Sequence, residues 1–317
     1  MDYREFTCAV EKQMNQKMTG GVKAGLYTAE KNNGTERTGI LIEIPGVNIS
    51  PTIYLEEYYE SYLAGESIET VVGDIINFYK NIRQEKSWDC SRVLDYENVR
   101  EHIVFKMINT SKNRNFLSTV PHITFLDLSI VFYVLLEAAG EGTAAMVINE
   151  DHAGRWKVGK DALWREALRN IKKLLPAEFF TMNYALREML KKNTESESAP
   201  EHENLLDGNM DASDSMYILS NNLRNYGAAC IAYPHILEMI GNILQTDFYV
   251  LPSSVHEVVI TPCRQEISCS ELDEMVRDIN RTQVAEEEIL SDHAYLYERR
   301  TGRLRIGAER RAGREAG

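Results

Sequence analysis

Apolar residues recur at helical spacing in some stretches of the chain and run together or alternate in others, and the two patterns mark out its elements. The spacing predicts an opening helix from Tyr3 to about Met18, closed by Gly20-Gly21. Two strand-like runs follow, VKAGLYTA (22–29) and TGILIEI (38–44). Between them lies Asn33-Gly34, a dipeptide that accepts positive φ at both turn positions and so favours a hairpin. After Pro51, residues Leu55, Tyr58, Tyr59, Tyr62 and Leu63 share one helical face. Gly65 breaks that run, and Ser67 can cap a second helix carrying Ile68, Val71, Val72, Ile75, Ile76, Tyr79 and Ile82 in register. The same register sends most of the tyrosines of this stretch (Tyr54, Tyr58, Tyr59, Tyr62, Tyr79) into a core rather than to an interface.

Further on, IVFKMI (103–108), LSIVFYVLL (128–136) and TAAMVI (143–148) read as strands, the last two apolar on both faces as a covered central strand would be. Leu163, Trp164, Ala167, Leu168, Ile171, Leu174 and Leu175 mark an amphipathic helix stopped by Pro176. A second, over about 180–191, carries Met182, Ala185, Leu186, Met189 and Leu190 on one face. Residues 193–214 are acidic, lack Lys and Arg, and hold little to bury, so they are expected to form a mobile loop. MYILS (216–220) and AACIAY (228–233) follow as apolar runs, and Pro234 suits the first turn of a helix with Ile236, Leu237, Ile240, Ile243 and Leu244. DFYVLPS and HEVVITP read as strand, turn, strand; Ser268 or Ser270 caps a helix with Leu272, Met275, Val276 and Ile279; a last hairpin turns at Thr301-Gly302.

Strands and helices alternate irregularly rather than in βαβ units, which points to an α+β fold: a mixed sheet packed with amphipathic helices, plus a smaller N-terminal helix–hairpin–helix unit. The expected organisation is an N-terminal subdomain over 1–95, a main domain over 96–298 containing the acidic loop, and an Arg-rich tail over 299–317.

Composition narrows the function. The chain carries a net charge of −13, and residues 299–317 contribute +5 of opposite sign, so the remainder holds −18. A body that negative repels phosphate backbones and argues against nucleic acid as a partner. The arginine tail leaves room for an acidic partner protein. No apolar run approaches the roughly 20 residues a membrane helix needs, and MDYREFTCAVEKQMNQK lacks the apolar core of a signal peptide. The five cysteines (Cys8, Cys90, Cys230, Cys263, Cys269) leave no complete disulfide framework. These features fit a cytoplasmic protein.

LPSSVHEVVITP (251–262) places Ser253, Ser254, His256 and Glu257 within five residues, offering a hydroxyl nucleophile, a base and a carboxylate. Strand alternation sets Ser254 and His256 on one face and Glu257 on the other, so Glu257 is not positioned to orient its neighbour. The plainer reading gives the serines to the turn and His256 to a hydrogen bond at a strand end. Asp292 and His293 are possible distant partners. Other motifs fail. Ile260 stands where HExxH requires its second histidine, and Cys263 and Cys269 have no companion pair for a structural zinc. Gly154–Lys160 has P-loop spacing, but Asp161 replaces the Ser or Thr that would hold Mg²⁺. Glu286-Glu287-Glu288 reads as a solvated turn. No cofactor is implied.

LPSSVHEVVITP, together with ISPTIYLEEYYESYLAGESIETVV, VPHITFLDLSIVFYVLL, LSNNLRNYGAACIAYPHILEMI and EEEILSDHAYLYERRTGRL, resembles an uncharacterised bacterial domain-of-unknown-function family with an LPSSxHE signature. The resemblance implies a bacterial, cytoplasmic setting and carries no activity. The leading expectation is a non-catalytic regulatory or protein-interaction protein. The alternative is a hydrolase or small-ligand enzyme centred on Ser253, Ser254 and His256, and a third reading, an acidic mimic of nucleic acid, rests on the charge alone.

Overall fold

The computed structural model describes residues 1–43, 52–85, 95–139, 142–192, 203–207, 215–263 and 268–307. The chain divides into two compact units, Met1–Asp95 and Tyr96–Gly317.

In the first unit, helix α1 (Tyr3–Lys17) begins at a capping box in which Asp2 accepts from the Glu5 amide and Glu5 accepts from the Asp2 amide. Strands β1 (Lys23–Glu30) and β2 (Glu36–Glu43) form the expected hairpin, with Asn33 and Gly34 at φ 62° and 74°. The short β3 (Thr52–Tyr54) completes an antiparallel sheet in the order β1-β2-β3. Alternation turns Ala24, Ile40, Ile42 and Ile53 inward to meet Phe6, Val10 and Met14 of α1. Val71, Val72 and Ile75 of a later helix close the same core. Between β3 and that helix, α2 (Glu56–Leu63) sets Tyr59 and Tyr62 against Phe6, with ring centroids 5.1 and 5.3 Å apart. Leu63, expected on the buried face, is exposed at the end of α2. Helix α3 (Ile68–Glu85) follows its Ser67 cap, whose hydroxyl accepts from the Thr70 amide at 3.1 Å. The free edge of β1 is covered from α1. Asn15 bonds both the amide and carbonyl of Ala24, and Glu11 accepts from the Leu26 amide, so this edge offers little to a foreign strand.

The second unit opens with α4 (Tyr96–Val99), β4 (Ile103–Asn109), α5 (Arg114–Leu117), β5 (His122–Phe125), β6 (Leu128–Ala139) and β7 (Gly142–Val147). β6 is central, pairing with β4 on one side and with β5 and β7 on the other. Every strand pair among the described residues is antiparallel, so the expected mixed sheet is corrected to antiparallel sheets within the α+β fold. The apolar run that suggested a covered central strand is real. β6 is buried from Leu128 to Leu135 because it is central and packed on both faces, which does not depend on its neighbours' direction. β7, by contrast, is an edge strand with Ala145 exposed.

Helices α6 (Glu150–Trp156) and α7 (Lys160–Leu174) meet at Lys157, in the left-handed region, and Gly159. The near P-loop is therefore a helix–turn–helix junction. Its Trp156 is buried and stacks on His152 at 5.6 Å, while Trp164 of α7 packs on Phe105 at 4.9 Å. Next come β8 (Ala177–Thr181), α8 (Met182–Lys192), β9 (Tyr217–Asn221), α9 (Ile236–Leu244), β10 (Phe248–Leu251), β11 (Val258–Pro262), α10 (Cys269–Thr282), β12 (Tyr295–Glu298) and β13 (Arg303–Ile306). The strands build a six-stranded sheet in the order β13-β12-β10-β11-β9-β8.

Three local expectations change. AACIAY folds as a 3-10 turn (Gly227–Ala232), and His235 at φ 67° then caps α9, leaving Pro234 outside that helix. Two of the five residues on the apolar face of α8 are covered: Met182 and Ala185 pack inward while Leu186, Met189 and Leu190 are exposed. The acidic stretch 193–214 lies outside the described residues except for 203–207. There Leu205 is buried, and Asn204 and Glu203 accept from the Phe179 and Thr181 amides on the free edge of β8. The Arg-rich tail enters the sheet as β13, with Arg305 paired to Glu298 at 2.7 Å; residues 308–317 lie outside the described residues.

Candidate functional site

Two segments of the second unit run side by side: 252–256, leaving β10, and 288–291, approaching β12. The Val255 amide donates to the Glu288 carbonyl at 2.9 Å, Leu290 to Ser253 at 3.1 Å, and Ser291 to Pro252 at 2.9 Å, with an antiparallel bridge between Ser254 and Ile289. Each strip carries a Ser-x-His triplet, Ser254-Val255-His256 and Ser291-Asp292-His293. In both, the seryl Oγ accepts from the amide of the histidine two residues on, at 3.0 Å. That local bond shapes the turn and is a standard use of serine.

The His256 imidazole is held on three sides. Its Nε2 lies 3.3 Å from Glu288 Oε1, its Nδ1 accepts from the Tyr226 amide at 3.4 Å, and its ring stacks on Tyr226 at 5.7 Å. With Nδ1 accepting, the neutral ring carries its proton on Nε2, directed at Glu288. Lys106 Nζ sits 4.3 Å from the centroid of Tyr226, and Tyr133 meets the same ring edge-on. The loop that presents Tyr226 is strained. Arg224 and Tyr226 both have φ near 50° without being glycine, and the Asn221 side chain holds the turn through Leu223 and Asn225. Gly227 comes next, where a Cβ would lie 2.1 Å from Ser220 Oγ and 2.6 Å from the His256 carbonyl oxygen. Only glycine permits that approach, and Ser220 uses it to donate to the same carbonyl at 2.8 Å.

At the other end of the paired strips, His293 Nδ1 lies 3.3 Å from Asp273 Oδ2, while Asp273 Oδ1 accepts from the Ala294 amide at 2.7 Å. Asp292 accepts from Asn280. Ser291 is fully buried, donating to Asp127 Oδ2 at 2.6 Å, and the Tyr295 hydroxyl donates to Asp127 Oδ1 at 2.6 Å. Burial, followed by the Asp127 charge, holds the Tyr295 hydroxyl well above the usual phenol range. Asn109 adds a bond to the Leu290 carbonyl.

Ser254 and His256 are joined, but through the histidine's amide. Among the described residues no hydrogen bond links Ser253 or Ser254 Oγ to an imidazole. Glu257 is half-buried and is not the carboxylate at His256; Glu288 is, from the run read as a solvated turn. Asp292 and His293 form their own contacts away from His256. Sequence reasoning missed Glu288, Tyr226, Asp273 and Asp127, which lie 30 or more residues from one histidine or 20 and more from the other; the only cue was the repeated Ser-x-His spacing. Cys230 is fully enclosed, and burial pushes its thiol far above the normal range. No group of three or more His, Cys, Asp or Glu among the described residues is placed to hold a metal ion.

Open volume lies elsewhere in this unit. Two adjoining grooves, of about 660 and 810 Å³, share Glu238, Tyr297, Arg299 and Arg300. The larger has apolar walls from Phe125, Leu126, Ile231, Leu237 and Leu304. The Arg299 guanidinium is aimed by neutral groups, the side-chain carbonyls of Asn242 and Gln245 at 3.4 and 3.2 Å. Neither Arg299 nor Arg300 has a carboxylate ion-pair partner among the described residues, whereas Glu238 is paired with His235 at 3.2 Å.

Fold and site together define an α+β protein of two units, with antiparallel sheets and histidines tied into paired loops. The chain belongs to DUF5688, a family of unknown function whose model matches residues 3–299, in line with the resemblance read from LPSSVHEVVITP. No curated protein and no solved structure matches it. No helix among the described residues is long and apolar enough to cross a membrane.

Proposed function

We propose that this chain is a non-catalytic interaction protein of the bacterial cytoplasm, and that it holds an acidic segment of a partner protein in the groove at Tyr297, Arg299 and Arg300. The observation that carries the reading is the use of the hydroxyls. Among the described residues neither Ser-x-His hydroxyl is hydrogen-bonded to an imidazole: both serines accept from a backbone amide, Ser291 also donates to Asp127, and the imidazoles face Glu288 and Asp273 instead. A nucleophilic site needs its hydroxyl on the imidazole. The groove supplies what a binding surface needs: apolar walls and two arginines that have no carboxylate ion-pair partner among the described residues. Charge supports the choice of partner. An acidic segment is repelled by the −18 remainder of the chain and drawn to the arginines, which confines it to this surface.

The test is binding of fluorescein-labelled dodecapeptides of matched apolar content, one set rich in Glu and the other in Lys, followed by anisotropy. The Glu set is expected to bind the wild-type chain, to weaken as salt rises, and to lose at least tenfold in affinity to the Arg299→Glu/Arg300→Glu variant. Equal binding of both sets, or binding indifferent to the charge reversal, refutes the reading.

A further inference from the structure

Cys263 and Cys269 pack against one small cluster that contains Tyr249. Tyr249 pairs in register with Thr261, and Cys263 lies two residues beyond, so strand parity places Tyr249 and Cys263 on the same face of the sheet. The Cys263 amide continues the pairing to the Asp247 carbonyl at 2.8 Å. Helix α10 packs on that face through Leu272 and Val276, in one cluster with Tyr249, Leu251, Leu296 and both cysteines. Cys269 is the first residue of α10, fixed there by the Ser268 capping box. Burial, followed by the neighbouring Cys263 and Cys269, pushes the Tyr249 hydroxyl up to about 12, in keeping with both cysteines packing in its cluster. Neither cysteine is in a disulfide, both residues are partly exposed, and Cys263 lines the smaller groove.

We propose that Cys263 and Cys269 form a dithiol modification site that a hydroperoxide converts to an intramolecular disulfide. The Cys263 sulfur, reached from the groove, attacks the peroxide O–O bond and becomes a sulfenic acid as water or an alcohol departs. The Cys269 sulfur then attacks the sulfenic sulfur; the S–S bond forms, and the sulfenic oxygen leaves as water with the thiol proton. The peroxide gains two electrons and the thiols lose two electrons and two hydrogens. The short chain between the two residues keeps the effective concentration of one thiol at the other high. Cys230 takes no part, being fully buried.

The reduced full-length chain is treated with stoichiometric hydrogen peroxide, alkylated, unfolded and digested with trypsin. Cleavage after Arg264 separates the two cysteines, so the bridge appears as peptide 265–277 joined to the peptide ending at Arg264, and dithiothreitol removes it. Fragmentation assigns the partner as Cys263 rather than Cys230, and the intact mass falls by about 2 Da. Cys269→Ser is expected to remove the bridge and leave Cys263 to advance to sulfinic acid. Alkylation of both thiols after peroxide, or a bridge to another cysteine, overturns the proposal.

Discussion

Removal of the Asp127 carboxylate tests how the second unit is held together. Asp127 sits in the turn between β5 and β6 and accepts two hydrogen bonds of 2.6 Å, from Ser291 Oγ and from the Tyr295 hydroxyl. Both donor residues are fully buried, so neither hydroxyl can turn to water when its acceptor goes. A hydrogen bond to a charged group contributes about 1.5–3 kcal/mol, and a buried donor left unsatisfied costs about 1–3 kcal/mol. Asp127→Ala is therefore expected to destabilise this unit by about 3–6 kcal/mol, a large share of the roughly 5–15 kcal/mol that holds a typical domain. Asp127→Asn keeps one acceptor oxygen and should lose about half as much. Urea unfolding followed by tryptophan fluorescence reads the effect, because Trp156 is buried and Trp164 packs on Phe105 in the same unit. A midpoint shift at constant m-value is the expected signature. An Asp127→Ala midpoint within about 1 kcal/mol of wild type would refute the argument that this carboxylate fastens the 288–295 strip.

Other outcomes follow from the same contacts. Gly227→Ala forces a Cβ to within 2.6 Å of the Asn221 amide and the His256 carbonyl, backbone atoms that cannot step aside. It should cost about 3 kcal/mol, read by urea midpoint, and an unchanged midpoint contradicts the close approach. His152 has its imidazole pKa lowered, first by burial and then by the Arg155 charge, and its neutral Nδ1 accepts from the Asn149 amide. Its contribution is full above the ordinary value of 6.5 and is lost as pH falls through the folded-state value. The unfolding midpoint of wild type should therefore drop between pH 7.5 and 5 more steeply than that of His152→Asn; parallel profiles would refute this.

Much of the fold was legible because short-range patterns wrote it. The Asn33-Gly34 turn, the Ser67 and Ser268 caps and the apolar stripe of α3 each depend on residues within a few positions of one another. Strand direction was not legible from LSIVFYVLL, since a covered central strand reads the same whichever way its neighbours run. Nor was the element formed by the apolar run AACIAY legible: small buried residues suit a 3-10 turn packed against β9 as well as they suit a strand. The site was less readable still. His256 meets Glu288, His293 meets Asp273, and Asp127 meets Ser291 across separations of 20 to 164 residues that no local spacing encodes. The glutamate run looked like solvated surface because two of its members gave no sign that the third closes on an imidazole.

The central claim, that the seryl hydroxyls of the paired strips shape turns rather than attack substrates, is tested most directly with a fluorophosphonate probe on the intact chain. The probe reacts with serines activated by an imidazole. Mass spectrometry is predicted to find Ser253, Ser254 and Ser291 unlabelled under conditions that fully label a serine hydrolase control. Stoichiometric labelling of Ser253 or Ser254 that disappears in His256→Ala would contradict the account.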